Sequence, residues 1–288
     1  MRLIINADDL GIDQARNRGI FQAADAGILK STSVIVGQGG WADAISGLKK
    51  RPFLGAGLHF NLTAGKPLIR EAKTLTKKDG DFFDKFELWK RAGLQLIDPQ
   101  DVARELTAQL EMFPATGIVP THIDGHNHVH LLPGVREGFI RVVPKGSWVR
   151  IPRHTNTVSL NPQNKDSKEV LSDLEKLLQA LQYFSQLAKN EWQGRYRYVD
   201  DFGGTTLTDE PTLEGFKKEI RDLKGEVCEL MCHPGDSPDE DSVRFSKLKA
   251  RQTERDILIS VELKSFLEKA GIETVSYRDI EKRNQKDG

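Results

Sequence analysis

Cysteine is scarce: Cys228 and Cys232 are the only two in 288 residues, four apart in one apolar run. That excludes a secreted disulfide framework, and two buried free thiols are the expected state. Long apolar runs are missing too. No stretch of about 18 apolar residues occurs, so no membrane-spanning helix and no membrane partner are expected. The chain begins directly on the apolar strand Leu3-Ile4-Ile5 with no signal-peptide core, which makes a cytoplasmic location the default expectation. Net charge is absent, with 42 Lys+Arg against 42 Asp+Glu. No overall basic field exists to draw in nucleic acid or an anionic surface. Internal repeats, low-complexity segments and linkers are also lacking. What remains is an ordinary soluble composition, 38% apolar and 29% charged, long enough for one sizeable core or two modest ones.

The seven histidines are unevenly spread. Four of them stand beside an aspartate in Thr121-His122-Ile123-Asp124-Gly125-His126-Asn127-His128-Val129-His130. Imidazole next to carboxylate is the material of a divalent-metal site or an acid/base relay. Similar chemistry recurs at Asn6-Ala7-Asp8-Asp9-Leu10-Gly11, at His59 and Asn61, and at Cys232-His233-Pro234-Gly235. Each has a plainer reading. Asp8-Asp9 could be a helix cap and a loop carboxylate, and His59 or His233 a hydrogen-bonded core histidine. His126, His128 and His130 share a face if their segment is extended and not if it is helical. Two histidines and a carboxylate with open positions suit zinc, or magnesium with extra waters. The spacing matches neither a Cys-rich zinc module nor His-Glu-x-x-His.

Patterning predicts strands and helices in alternation. Strands are expected at Met1–Ala7, Ser31–Val36, Leu54–Leu62, Pro120–Asp124, Trp148–Pro152, Tyr196–Phe202, Glu226–Cys232 and Ile272–Tyr277. Helices are expected from Asp13 to about Ala26, at Trp41–Lys50, Phe83–Leu94 and Pro99–Phe113, and from Pro133 to about Val143. Further helical patterns cover Glu169–Lys189, Pro211–Leu223 and Arg244–Ala270, while Asn156–Lys165 is turn-rich. Residues 64–82 form an excursion over one end of the fold and a lid candidate. The alternation argues for an α/β fold with a parallel sheet, either an irregular (β/α) barrel of one domain or an open doubly wound sheet. The barrel is preferred because Asp8-Asp9, His59-Asn61, Asp124-His126, Arg150 and His233 all fall at C-terminal ends of strands, which converge on one face of a barrel. The catalytic barrel is expected over 1–280, with a charged tail at 281–288.

Four blocks together resemble the YdjC-like carbohydrate deacetylases, which include the chitooligosaccharide deacetylase. They are Asn6–Gly11, Gly57–Thr63 with Gly65-Lys66-Pro67, Thr121–His130 and Glu229–Gly235. The resemblance spans about residues 1–280 and is weakest over 155–200. It implies an irregular, TIM-like, polysaccharide-deacetylase-like barrel, one divalent metal (Mg2+ or Zn2+), and removal of an N-acetyl group from an amino sugar in a short, chitobiose-like oligosaccharide. A homodimer is implied as well. By position, Asp9, His59 and His126 match the metal ligands, Asp8 the general base and His233 the catalytic acid. Asn61, Asp124, His128 and Arg150 are expected to touch substrate or to back up the ligands. Leu10 stands where phenylalanine is usual, and Asn127 where many members have histidine. Two rival readings remain. One is a metal-dependent phosphoesterase on the same scaffold, for which bridging carboxylates are too few. The other is a non-catalytic sugar-binding protein, which would not need the Asp8/His233 pair.

Overall fold

The computed structural model describes residues 1–152, 173–207, 210–237 and 248–284. It opens on strand β1 (Arg2–Leu10) and helix α1 (Gln14–Asp25), whose start is capped by the Asp13 side chain. β2 (Ser31–Val34), α2 (Trp41–Lys49), β3 (Gly55–Phe60), α3 (Lys85–Gly93), α4 (Pro99–Glu111) and β4 (Ile123–Gly125) follow. Then come α5 (Val135–Val142), α6 (Asp173–Glu191), β5 (Asp201–Gly203), α7 (Leu213–Asp222) and β6 (Val227–Cys232). The chain closes with α8 (Leu248–Ile259), α9 (Val261–Lys269), β7 (Glu273–Thr274) and α10 (Tyr277–Asn284).

The strands pair in parallel in the order β4-β3-β2-β1-β6-β5, with β7 added on β1. This is the α/β fold expected, its sheet curved into a half-barrel of TIM-like, deacetylase-like character. Beyond β4, hydrogen bonding continues through single parallel bridges, Ile123 to Val149 and Trp148 to Arg197, just before β5. The strand expected at Trp148–Pro152 is reduced to these bridges, since Pro152 has no N–H to extend a ladder. The strand expected at Tyr196–Phe202 likewise shortens to β5.

Alternation along the strands sorts the interior into two layers. Leu3, Ile5 and Ala7 of β1 join the large core shared with the helices, as do Leu58 and Phe60 of β3 and Cys228 and Leu230 of β6. The intervening residues face the other way. Ile4 and Val227 form a separate apolar cluster with Trp148, Val199, Val275 and Tyr277. Further along the same strands, towards their C-terminal ends, that inner side carries Asn6, Asp8, His59, Asp124 and Glu229, all buried. An apolar plug at one end of the sheet thus supports a polar layer at the other. Gly57 fits this packing, because a Cβ there would lie 2.4 Å from the His122 ring.

Several local expectations differ from the structure. The helix predicted from Pro133 begins at Val135, behind Gly134, whose φ of 77° favours glycine. A Cβ on Gly134 would also meet the Ile97 carbonyl at 2.7 Å. The pattern predicted over Arg244–Ala270, of which residues 244–247 lie outside the described residues, breaks into α8 and α9 at Ser260, whose side chain caps Leu263 instead of continuing the helix. The last strand is only two residues long, and Tyr277 starts α10, which runs into the expected tail. The excursion at 64–82 is latched to α4: Glu105 accepts the Leu68 and Ile69 amides, and Asp101 accepts Thr74. Ala72, Leu75 and Phe82 anchor it in the core. Asn156–Lys165 and the start of the helix predicted from Glu169 lie outside the described residues. No helix among the described residues is long and apolar enough to cross a membrane.

Candidate active site and metal centre

The site begins with a break in β1. Pairing with β2 holds at Asn6–Ser31 and Ala7–Thr32 and shifts before Leu10–Val34. Between them Asp9 adopts φ 73°, a left-handed conformation uncommon outside glycine and costing on the order of 1 kcal/mol. The irregularity breaks the two-residue alternation, so both adjacent carboxylates reach the polar layer. Both are buried. Strain retained at such a place is a mark of function.

Asp9, His59 and His126 present ligand atoms that all lie within 4.8 Å of one another. Asp9 Oδ1 is 2.9 Å from His126 Nδ1 and 3.5 Å from His59 Nε2. It is buried and finds no aligned hydrogen-bond donor among the described residues. His59 Nδ1 lies 2.7 Å from Asp124 Oδ1. A carboxylate can only accept there, so Nδ1 carries a proton and Nε2 is the nitrogen turned towards Asp9, free to ligate once its own proton is lost. These residues fit a divalent cation: an orphaned carboxylate oxygen, an oriented imidazole and a second imidazole. Asp8, His59 and Asp124 also offer ligand atoms within 4.8 Å of one another. There, however, both carboxylates are already engaged by the Arg150 cation, which would repel a metal ion.

Protonation competes with such an ion. Burial disfavours the His59 imidazolium, but Asp124 and Asp8, with the Asp124 hydrogen bond, outweigh it and raise the pKa to about 10. A raised histidine pKa stabilises the fold fully below the unfolded value of about 6.5, and that stability is lost as pH rises towards 10. The metal-free protein should therefore lose thermal stability over this window. Apparent metal affinity should rise across it, by up to about tenfold per pH unit. Chelator competition at several pH values checks the second expectation, and thermal melts of the metal-free protein check the first.

Arg150 organises the second half of the site. Fully buried, it donates to both oxygens of Asp8 at 2.6 and 2.7 Å and to Glu229 Oε1 at 2.9 and 2.7 Å. Its Nη2 also lies 2.8 Å from Asp124 Oδ2. Burial opposes the guanidinium charge, but Asp124, Asp8 and Glu229 hold it well above its ordinary pKa. Burial also pushes Glu229 up, against the pull of Arg150 and the Tyr277 hydroxyl. Tyr277 donates to Glu229 Oε2 at 2.7 Å. Asn6 donates to Asp8 Oδ1 at 2.8 Å and to Ser33 Oγ at 2.7 Å, and Ser33 in turn donates to Asp124 Oδ2 at 2.6 Å. Asp8 Oδ1 thus carries two donors. Oδ2 carries one and faces His59 Nε2 at 3.7 Å.

The histidine run is neither an extended strand nor a regular helix. It forms a 3-10 turn with Asn127 and His128 both left-handed, at φ 53° and 56°. Its side chains therefore diverge. His126 turns to Asp9, Asn127 donates to Thr63 Oγ1, and His130 bonds the Arg150 carbonyl at 2.9 Å. His128 packs edge-on to Phe202, its Nδ1 buried without a partner among the described residues. His122 stacks on Tyr277 at 4.1 Å beneath the polar layer. Asn61 uses its side chain on its own turn, accepting the Thr63 and Ala64 amides and donating to the Ala64 carbonyl.

His233 follows β6, and burial lowers its pKa to about 4 against the pull of Asp8 and Asp9. Two residues on α8 reach this corner that motif reading did not single out. Arg251 Nη2 donates to Asp9 Oδ2 at 2.6 Å, and Glu254 accepts the His233 backbone N–H. Burial raises the Glu254 pKa to about 8. Glu229, Tyr277, Ser33 and Asn6 were equally unassigned. The alternation on β1 and β6, which puts Asn6 on the Asp8 face and a glutamate inside an apolar strand, was the signal available for two of them.

A family model described as YdjC-like protein matches residues 2–269. The chain belongs to the YdjC-like protein family. Curated relatives match nearly the whole of this YdjC-like chain. The carbohydrate deacetylase of Brevibacillus brevis is 29% identical over 283 residues, covering 97% of this chain and 100% of its own. The chitooligosaccharide deacetylase of Yersinia enterocolitica is 32% identical over 282 residues, covering 96% and 98%. A crystal structure from Enterococcus faecalis, provisionally named a cellobiose-phosphate cleavage protein, matches with a TM-score of 0.72 at 23% identity. It covers 97% of this chain and 98% of its own, and at that identity the likeness speaks for the fold.

Proposed function

We propose that this YdjC-like chain is a metal-dependent carbohydrate deacetylase that hydrolyses the N-acetyl group of an amino sugar in a short, chitobiose-like oligosaccharide and releases acetate. The observation that carries the reading is the convergence of Asp9, His59 and His126 beside a separately held carboxylate, Asp8. Full-length relatives named carbohydrate and chitooligosaccharide deacetylases support the substrate class. When bound by Asp9, His59 and His126, a divalent ion such as Mg2+ or Zn2+ polarises the acetamide oxygen and acidifies water.

The protein's own residues then have separate tasks. Asp124 holds the His59 ring so that Nε2 faces the ligand set. Arg150 fixes the plane of the Asp8 carboxylate, and Asp8 Oδ2, with a lone pair to spare, takes the proton of the attacking water. His233 gives a proton to the departing amine, which would otherwise have to leave as an anion. That transfer needs the imidazolium; burial outweighs Asp8 and Asp9 and keeps the ring neutral in the metal-free protein, so His233 takes up its proton during turnover. His128 is assigned to the sugar, since its Nδ1 has no hydrogen-bond partner among the described residues. The two buried unpaired thiols support a cytoplasmic setting.

Release of acetate from diacetylchitobiose, assayed with and without chelator, tests the reading. Activity that is lost with chelator and restored by a divalent ion is expected. No acetate from N-acetylated oligosaccharides under any metal would refute it.

A further inference from the structure

Helix α8 touches both halves of the proposed chemistry. Arg251 spends one guanidinium nitrogen on Asp9 Oδ2 at 2.6 Å, leaving Oδ1 as the oxygen turned towards His59 and His126. Its other nitrogen reaches the His233 carbonyl at 3.4 Å, and its own backbone carbonyl accepts the Gly235 N–H at 3.1 Å. One helical turn later, the buried Glu254 accepts the His233 N–H. The turn that carries His233 is therefore pinned on three backbone groups by two residues of one helix. The same arginine fixes which oxygen of Asp9 is available.

α8 itself packs on α1, the helix that directly follows the Asp8-Asp9 segment. The Asp236 N–H donates to the Ala15 carbonyl, which closes the frame on the other side. The His233 imidazole makes no hydrogen bond among the described residues, and its Nδ1 is buried without a partner. Its aim therefore depends on where its backbone is held. Partners of this kind, one step behind a metal ligand, typically change affinity or activity 10–100-fold when removed.

We propose that Arg251 and Glu254 are positioning residues that make α8 a common brace. Arg251 presents Asp9 to the cation through a single oxygen, and Arg251 with Glu254 holds His233 over the scissile amide. The inference rests on the roles proposed for Asp9 and His233 and adds the residues that align them. It also says that the metal ligand and the proton donor are aligned by one element and not independently.

The test uses the full chain and two readouts: affinity for Co2+ or Zn2+ by chelator competition, and kcat and KM for acetate release at saturating metal. Arg251→Met should weaken metal affinity at least about tenfold and lower kcat about 10–100-fold. Arg251→Lys keeps a cation for Asp9 but cannot span to His233, so it should retain affinity within a few-fold and still lose kcat with KM unchanged. Glu254→Ala should lower kcat without changing metal affinity, and Glu254→Gln, which keeps an acceptor for the His233 N–H, should restore most of it. If Arg251→Met fails to fold, the lysine and glutamate variants still carry the test. Wild-type-like affinity and kcat in the Arg251 variants, or equal losses in Glu254→Ala and Glu254→Gln, would overturn the brace. Failure of the wild-type protein to bind metal or release acetate would instead overturn the function on which it rests.

Discussion

Arg150→Met should destabilise the protein by about 3–5 kcal/mol, the usual consequence of removing one partner from a buried ion cluster. Three carboxylates, Asp8, Asp124 and Glu229, share this one guanidinium, and all are buried. Without it they cannot all stay ionised in one dry cavity, so protons must enter. The deficit should therefore grow as pH rises, because each bound proton becomes harder to keep. Urea unfolding at pH 6 and pH 8 would show both the loss and its slope. Turnover should fall as well, since Asp8 loses the donor pair that fixes its plane. Glu229→Gln is the control: its amide oxygen keeps an acceptor for Arg150, its NH2 can donate to the Tyr277 oxygen in place of accepting from it, and one charge is removed, so its cost should be much smaller. A methionine variant within 1 kcal/mol of wild type would show that Arg150 does not organise the layer.

Asp8→Asn carries the second large effect. The substitution preserves volume and one acceptor oxygen, yet an amide cannot take a proton from water. Turnover should drop by about 10²–10⁴-fold, the usual contribution of a positioned base. Metal content should stay near normal, because Asp9 Oδ1, His59 and His126 are untouched. Elemental analysis beside acetate release separates the two. His59→Ala should behave in the opposite order, losing metal first and activity as a consequence. Retained turnover in Asp8→Asn would move the base to another group.

Much of this arrangement could be read from residue order. The strand ends carrying Asp8-Asp9, His59 and Asp124 meet at one end of the curved parallel sheet, and His233 follows β6 beside β1, as strand-end placement of polar residues suggested. Less visible was how two adjacent carboxylates share a cavity; that depends on the β1 irregularity and the left-handed Asp9, neither of which leaves a residue signature. The histidine run was ambiguous for the same reason, since two consecutive left-handed residues belong to neither period. On α4, Asp101, Glu105 and Gln109 stand four apart and latch the 64–82 excursion and Asn61. That polar stripe was present at helical spacing but was overshadowed by the apolar one beside it. Arg251 and Glu254 were hidden because their meaning comes only from α8 packing across α1.

The roles proposed for these residues all depend on one cation held by Asp9 Oδ1, His59 Nε2 and His126 Nδ1. Anomalous diffraction from crystals of the zinc- or cobalt-loaded protein, collected at the metal edge, tests it most directly. A single peak within bonding distance of those three atoms, with Asp8 beside it but still paired to Arg150, is the expected result. A peak lodged between Asp8 and Asp124, or none at full metal loading, would contradict it.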